Sequence, residues 1–187
     1  GRGSRPLSIQ EFRAVRELAQ SNVFFQPQQT GAVLDKKEAA RAAYIEKVLG
    51  FVDYSSLKPF KIVINSGNGA AGPTFDAIAE QVQALGAPLE FVRVHHTPDG
   101  RFPNGIPNPL LSENHAVTSD VVRAESADFG VAFDGDFDRC FFFDEKGQFV
   151  PGEYIVGLLA ELFLEKEACA KIVHDPRVIW NTQDIVT

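Results

Sequence analysis

The chain has 187 residues, is 44% hydrophobic and carries a net charge of −7, an ordinary globular composition with no basic patch for nucleic acid or anionic membrane. No apolar run approaches the ~20 residues of a membrane span, and no signal peptide is visible. Cys140 and Cys169 are its only cysteines and make no disulfide framework, so a reducing cytoplasm is the expected compartment. Methionine is absent, and the sequence reads as a piece of a longer polypeptide.

In chain order, a short helix is expected over 8–20 with Phe12, Val15 and Leu18 as its apolar side, followed by a Gln-rich exposed connection to Gly31. Asp35 is suited to cap a second helix, in which Tyr44, Ile45, Val48, Leu49 and Val52 recur at three- and four-residue spacing. Lys61-Ile62-Val63-Ile64 is a continuous apolar run that predicts a central strand of a parallel sheet. The turn Asn65-Ser66-Gly67-Asn68-Gly69-Ala70-Ala71-Gly72 then leads to a helix. Pro73 is placed at its first position, Phe75, Ile78, Ala79 and Val82 on its buried face, and Gly86 at its C-terminal end.

Residues 89–94 alternate partly, as an edge strand does. A Pro/Gly-rich loop over 95–112 is longer than most connections and hints at function. A helix over 112–126 is expected to be buried through Val117, Val121 and Ala124. Strands over 129–133 and 140–144 flank an acidic loop, Lys146-Gly147 makes a turn, and an apolar helix over 152–165 precedes a short strand at 171–174. Right-handed crossovers between the parallel strands then predict a three-layer α/β/α domain. Its mixed four-stranded sheet has the order 2-1-3-4, with the last strand antiparallel.

The acidic loop, Asp134-Gly135-Asp136-Phe137-Asp138-Arg139, carries the chemistry. Three carboxylates at alternate positions repel one another, since each ionised Asp disfavours ionisation of the next. A hard divalent cation with oxygen ligands offsets that repulsion, and Arg139 adds a positive fork suited to phosphate. Three other readings compete with a Mg2+ loop for phosphoryl transfer. A calcium loop of the EF-hand type would use Glu145 as twelfth residue, but Arg139 stands where that loop needs glycine, and strands flank it. A haloacid-dehalogenase-type phosphatase wants Thr or Val at Asp138 and places its loop after the first strand. A solvated acidic turn does not account for three carboxylates between phenylalanine-rich strands. Outside this loop, the glycine-rich turn over 65–72 either binds phosphate through backbone N–H groups or, as we expect, is a tight packing turn. His95 and His96 point to opposite sides and do not share a metal. Cys140, at a buried strand start, and Cys169 are expected to be ordinary packing residues, and Arg101 and Asn104 to approach a neighbouring domain.

The loop over 134–139 resembles the metal-binding loop of the α-D-phosphohexomutase family. The turn over 65–72, Phe102-Pro103-Asn104-Gly105-Ile106-Pro107-Asn108-Pro109 and Asp175-Pro176-Arg177 are similar to bacterial phosphomannomutases of that family, and Gly3-Ser4-Arg5-Pro6 resembles the end of the family's first domain. The resemblance implies a four-domain enzyme of which residues 1–31 end the first domain and its connection, 32–169 form the second, and 170–187 start the third, whose core would take Trp180. It further implies that Asp134, Asp136 and Asp138 hold Mg2+ against the phosphoserine of a missing first domain, while Arg139 helps hold phosphate. The implied reaction interconverts mannose 6-phosphate and mannose 1-phosphate through a hexose bisphosphate. The Ser-His-Asn-Pro-like phosphoserine loop is missing, so the chain alone is expected to be inactive. The alternatives are a Mg2+-dependent phosphatase and a non-enzymatic metal-binding module.

Overall fold

Apolar runs too short to be helices pair as strands, and here they do so in one sheet. The computed structural model describes residue 3, residues 5–175 and residues 180–186. Strands β1 (Phe60–Asn65), β2 (Leu89–Val94), β3 (Phe129–Phe133), β4 (Cys140–Phe143) and β5 (Phe149–Val150) lie in the order β2-β1-β3-β4-β5. β1 runs parallel to β2 and β3, whereas the β3–β4 and β4–β5 pairs are antiparallel. The sheet therefore has five strands, one more than expected. The addition is a two-residue strand formed as the Lys146-Gly147 turn folds back, with the Asp144 carboxylate accepting the N–H groups of Lys146 and Gln148. Residues 171–174 form no strand, and Val173 is 94% exposed. Ser4, Pro176 and Arg177, quoted in the motifs above, lie outside the described residues.

Two compact units divide the chain, 1–37 and 38–187. The first holds α1 (Ile9–Ser21), opened by a capping box in which Ser8 and Glu11 exchange side-chain-to-backbone hydrogen bonds. The second holds the sheet and its helices. α2 (Lys37–Leu49) begins two residues after Asp35, which accepts the Lys37 N–H. α3 (Ala71–Ala84) starts earlier than expected, so Pro73 is its third residue. Gly86, at φ +79°, closes α3: its N–H reaches the Gln83 carbonyl and the Ala87 N–H that of Val82, the paired bonds of a Schellman motif.

α4 (Ala116–Ala124) follows a 3-10 turn and buries Thr118, Ser119 and Val122, while Val117 and Ala124 are exposed. The expected face is corrected by a rotation. Thr118 takes a hydrogen bond from the buried Asn65 side chain, and Val122 seats on Gly130, where a Cβ would come within 2.7 Å of it. Ile62, Ile64 and Val131 form the core on one sheet face, with Phe75 and Phe91 against them; Val63, Val122 and Ala127 form it on the other. α5 (Gly152–Lys166) meets α6 (Trp180–Val186) where Asn181 donates to the Glu153 carbonyl. No helix among the described residues is long and apolar enough to cross a membrane.

Candidate metal centre

The loop over 134–139 begins where β3 ends and returns as β4, with Phe133 opposite Cys140. The C-terminal ends of parallel strands are where open α/β sheets gather their ligands. The Asp134 N–H donates to the Arg139 carbonyl, and the Arg139 N–H to Asp134 Oδ1 at 3.0 Å, which draws the loop tight. Phe137 takes a left-handed φ of +66°, its ring edge-on to Phe133. Asp136 and Asp138 flank it and are exposed, whereas Asp134 is 1% exposed. The structure brings all three predicted carboxylates together: each offers an oxygen, and these lie within 4.8 Å of one another.

Arg139 does not point away to await a phosphate. Its Nη2 lies 2.6 Å from Asp134 Oδ2 and its Nε 3.2 Å from Asp138 Oδ1, so the loop supplies its own counter-charge. The Asp134 contact is an ion pair without hydrogen-bond geometry, and Oδ2 is left buried with no hydrogen-bond partner. Burial pushes the Asp134 carboxyl up, but the Arg139 N–H and hydrogen bonds from Asp138 and Asp136 outweigh it and hold the group below its ordinary value. The hydrogen bond to Asp134, then the charge of Asp138, push Asp136 the other way.

The glycine-rich turn is a packing turn. Gly67 and Asn68, at φ +56° and +58°, form a turn closed by the Gly69 N–H to the Ser66 carbonyl. The N–H groups over 67–70 bond inside the protein: besides that of Gly69, Gly67 donates to Asn65 Oδ1, Asn68 to the His95 carbonyl and Ala70 to the Gly135 carbonyl. Sequence reasoning missed where the turn packs. Gly69 abuts the backbone of Gly135, in the middle of the acidic loop, while Phe102 and Pro107 of the long loop meet Gly135 as well. Asn68 holds the long loop in place, donating to the Thr97 carbonyl and accepting from Asn104 Nδ2, each at 2.8 Å. Three separate motifs thus converge on one spot.

His96 faces Asp76, Nε2 to Oδ2 at 2.8 Å, with Nδ1 3.3 Å from Ser66 Oγ; Arg93 Nε donates to the other Asp76 oxygen. His95 instead adopts φ +44° and offers its carbonyl to Asn68, so the two histidines have separate tasks. Arg101 is paired with Asp99 through both carboxylate oxygens. Cys140 is exposed, contrary to the expectation of a buried strand start, because β4 leaves the acidic loop at the sheet's rim; Cys169 is exposed too. Arg41, Tyr44, Thr74 and Phe137 line a shallow open cavity beside the acidic loop.

The family described as phosphoglucomutase/phosphomannomutase, alpha/beta/alpha domain II, matches residues 42–147. The chain is 55% identical over 186 residues to a phosphomannomutase of Escherichia coli strain K12, covering 99% of this chain and 41% of that relative. It is 56% identical over 146 residues to a phosphohexose mutases protein of Xanthomonas campestris pv. campestris strain B100, covering 78% of this chain and 32% of that one. Among solved structures, a phosphoglucomutase/phosphomannomutase family protein from Burkholderia thailandensis superposes with a TM-score of 0.76 at 26% identity, over 98% of this chain and 38% of its own. The chain therefore spans between about a third and two-fifths of the length of these relatives.

Proposed function

The chain belongs to the phosphoglucomutase/phosphomannomutase family, and from that premise we propose that it is the cation-holding segment of a phosphomannomutase. The whole enzyme would interconvert mannose 6-phosphate and mannose 1-phosphate through a phosphoserine and a hexose bisphosphate. In this reading residues 1–31 end a first domain, 32–169 form the second, and 170–187 open the third. The enzyme would work in the cytoplasm. One observation carries the reading: Asp134, Asp136 and Asp138 present oxygens within 4.8 Å of one another at the C-terminal end of a parallel strand.

The donor set fits Mg2+. It is all carboxylate oxygen, the hard-ligand chemistry that this ion takes. Asp134 Oδ2 is buried without a hydrogen-bond partner and faces only the Arg139 guanidinium charge at 2.6 Å, a position that a cation could take. Bound there, Mg2+ supplies positive charge for the oxygens of a transferring phosphoryl group. The chain's own residues do the rest. Asp134 is fixed by the Arg139 N–H and cannot drift, while Asp136 and Asp138 reach in from the exposed arm of the loop. Arg139, paired here with Asp134 and Asp138, would be the loop's own charged donor to a phosphate if a cation held those carboxylates.

The phosphatase reading finds no support: the loop follows the third strand of its sheet, not the first, and the family match covers it. The test is a coupled assay with mannose 1-phosphate and a hexose 1,6-bisphosphate primer. The full-length parent turns over and the 187-residue chain does not. Turnover by the chain alone, or hydrolysis of a simple phosphoester with Mg2+ alone, overturns the proposal.

A further inference from the structure

Gly135 is held from several directions by segments distant in sequence. The Ala70 N–H donates to the Gly135 carbonyl at 3.0 Å, where α3 begins. A Cβ on Gly69 would stand 2.6 Å from the Gly135 oxygen and 3.0 Å from its Cα, so backbone meets backbone there. A Cβ on Gly135 itself would stand 3.4 Å from Phe102 Cζ and 3.5 Å from Pro107 Cγ. Pro107 in turn packs on Gly67, and Asn68 ties the long loop down through Thr97 and Asn104.

We propose that Gly69 is a positioning residue for the acidic loop: the turn over 66–70, braced by Phe102 and Pro107, sets the place of Gly135 and so the spacing of the carboxylates on either side of it. This inference rests on the reading of Asp134, Asp136 and Asp138 as the cation-holding set. Gly135 joins the buried Asp134 to the exposed Asp136, and its carbonyl is the anchor between them. A side chain at position 69 meets backbone, which cannot swing aside as a flexible side chain does. The loop must therefore shift outward. A carboxylate set that is displaced by part of an ångström binds a small, geometrically demanding ion less well.

The experiment uses the 187-residue chain titrated with Mn2+, read by electron paramagnetic resonance of the free ion. Gly69→Ala is compared with Gly86→Ala, which strains a left-handed glycine at the far end of α3 with nothing near its Cβ. Both lower the melting temperature, but Gly69→Ala also weakens Mn2+ binding by about tenfold, the scale on which supports of a metal site act, while Gly86→Ala leaves it at the wild-type value. Equal affinity for the two variants overturns the proposal. Should Gly69→Ala fail to fold, Phe102→Ala removes the brace from the opposite side, and a smaller loss of affinity is expected from it; wild-type affinity there overturns the proposal. If the wild-type chain binds no Mn2+, the cation reading fails. Hydrogen exchange of the peptide covering 134–139 then decides the positioning role: it is faster in Gly69→Ala than in Gly86→Ala if the clamp is real, and equal in both if it is not.

Discussion

Asp134 and Arg139 are joined three times across the acidic loop: N–H to Oδ1 at 3.0 Å, N–H to carbonyl at 3.3 Å in the other direction, and guanidinium to the buried Oδ2 at 2.6 Å. The first two bonds build the loop and do not depend on what residue 139 is. The third belongs to arginine, and it places a cation of the protein where a metal's charge would act. Arg139 would thus compete with a metal held by these carboxylates.

Arg139→Gln should therefore tighten divalent-cation binding. The guanidinium is about half exposed, so its competition is that of a screened surface pair, and a gain of roughly two- to fivefold is expected. The gain shrinks in high salt, where exposed charges interact less. Mn2+ titration of the chain measures it. On the proposed reading, mutase activity of the full-length parent carrying the same change moves in the opposite direction, falling about 100-fold, because a charged donor to phosphate would be gone. Tighter binding with lower activity separates the two tasks of one residue.

Asp136→Asn should raise the melting temperature of the metal-free chain at neutral pH. In the fold the Asp136 carboxyl sits above its ordinary value, through its hydrogen bond to Asp134 and then the charge of Asp138. A raised carboxyl contributes stability fully below its unfolded value of 3.8, and loses it as pH climbs through the folded value. At pH 7 the loop therefore carries its full repulsion, and Asn removes one charge from it. The difference between variant and wild type is expected to narrow at pH 3. Added Mg2+ stabilises the wild type by mass action and leaves the variant unmoved. A thermal scan with and without EDTA reads both effects.

Chemistry with a local cause was legible in the sequence, and chemistry assembled from afar was not. Three Asp residues at alternate positions announce their own repulsion, and the apolar run over 61–64 announces a central strand. β5, at two residues, is too short to leave a period, and it exists because Asp144 organises the turn before it. Residues 171–174 look like a strand but have no neighbouring strand to pair with among the described residues. The buried face of α4 was misplaced because Thr118 is polar, and its burial follows from Asn65 waiting across the helix–sheet interface. The clamp on Gly135 joins positions 69, 102 and 107 to position 135, and no local pattern reports such a contact. Only the density of glycines in the turn hinted that some backbone approaches closely there.

Gly130→Ala tests how closely α4 is fitted to the sheet. The new methyl would stand 2.7 Å from Val122 Cγ2 and 3.0 Å from Thr118 Cγ2. Val122 is fully buried and Thr118 is held by Asn65, so neither can move far. Overpacking of this kind costs about 1–3 kcal/mol. Val122→Ala destabilises by itself, but in combination it makes room, so the double variant is more stable than the sum of the two changes predicts. Urea unfolding of the four proteins measures the coupling, which should exceed about 0.5 kcal/mol.

Asp76→Asn should flatten the acid limb of the stability curve. Asp76 lies on α3 and faces Arg93 of β2 and His96 just after that strand. Burial by itself would raise its carboxyl; the hydrogen bonds from His96 and then Arg93 outweigh that and leave it below its ordinary 3.8. A depressed carboxyl contributes stability above its unfolded value and loses it as pH falls through the folded one. Asp76 is 40% exposed, so solvent screens the pair with Arg93 and the contribution is discounted to about 0.5–1 kcal/mol. The loss on Asp76→Asn is thus expected near pH 7 and should vanish as pH falls through the depressed folded value, where the wild-type carboxyl becomes protonated as well. His96→Gln keeps a donor toward Asp76 and should lose less than Asp76→Asn does. Urea midpoints measured across pH 2–8 check the sequence of effects, and a parallel shift of the Asp76→Asn curve at all pH values would show that packing, not charge, holds this edge of the sheet.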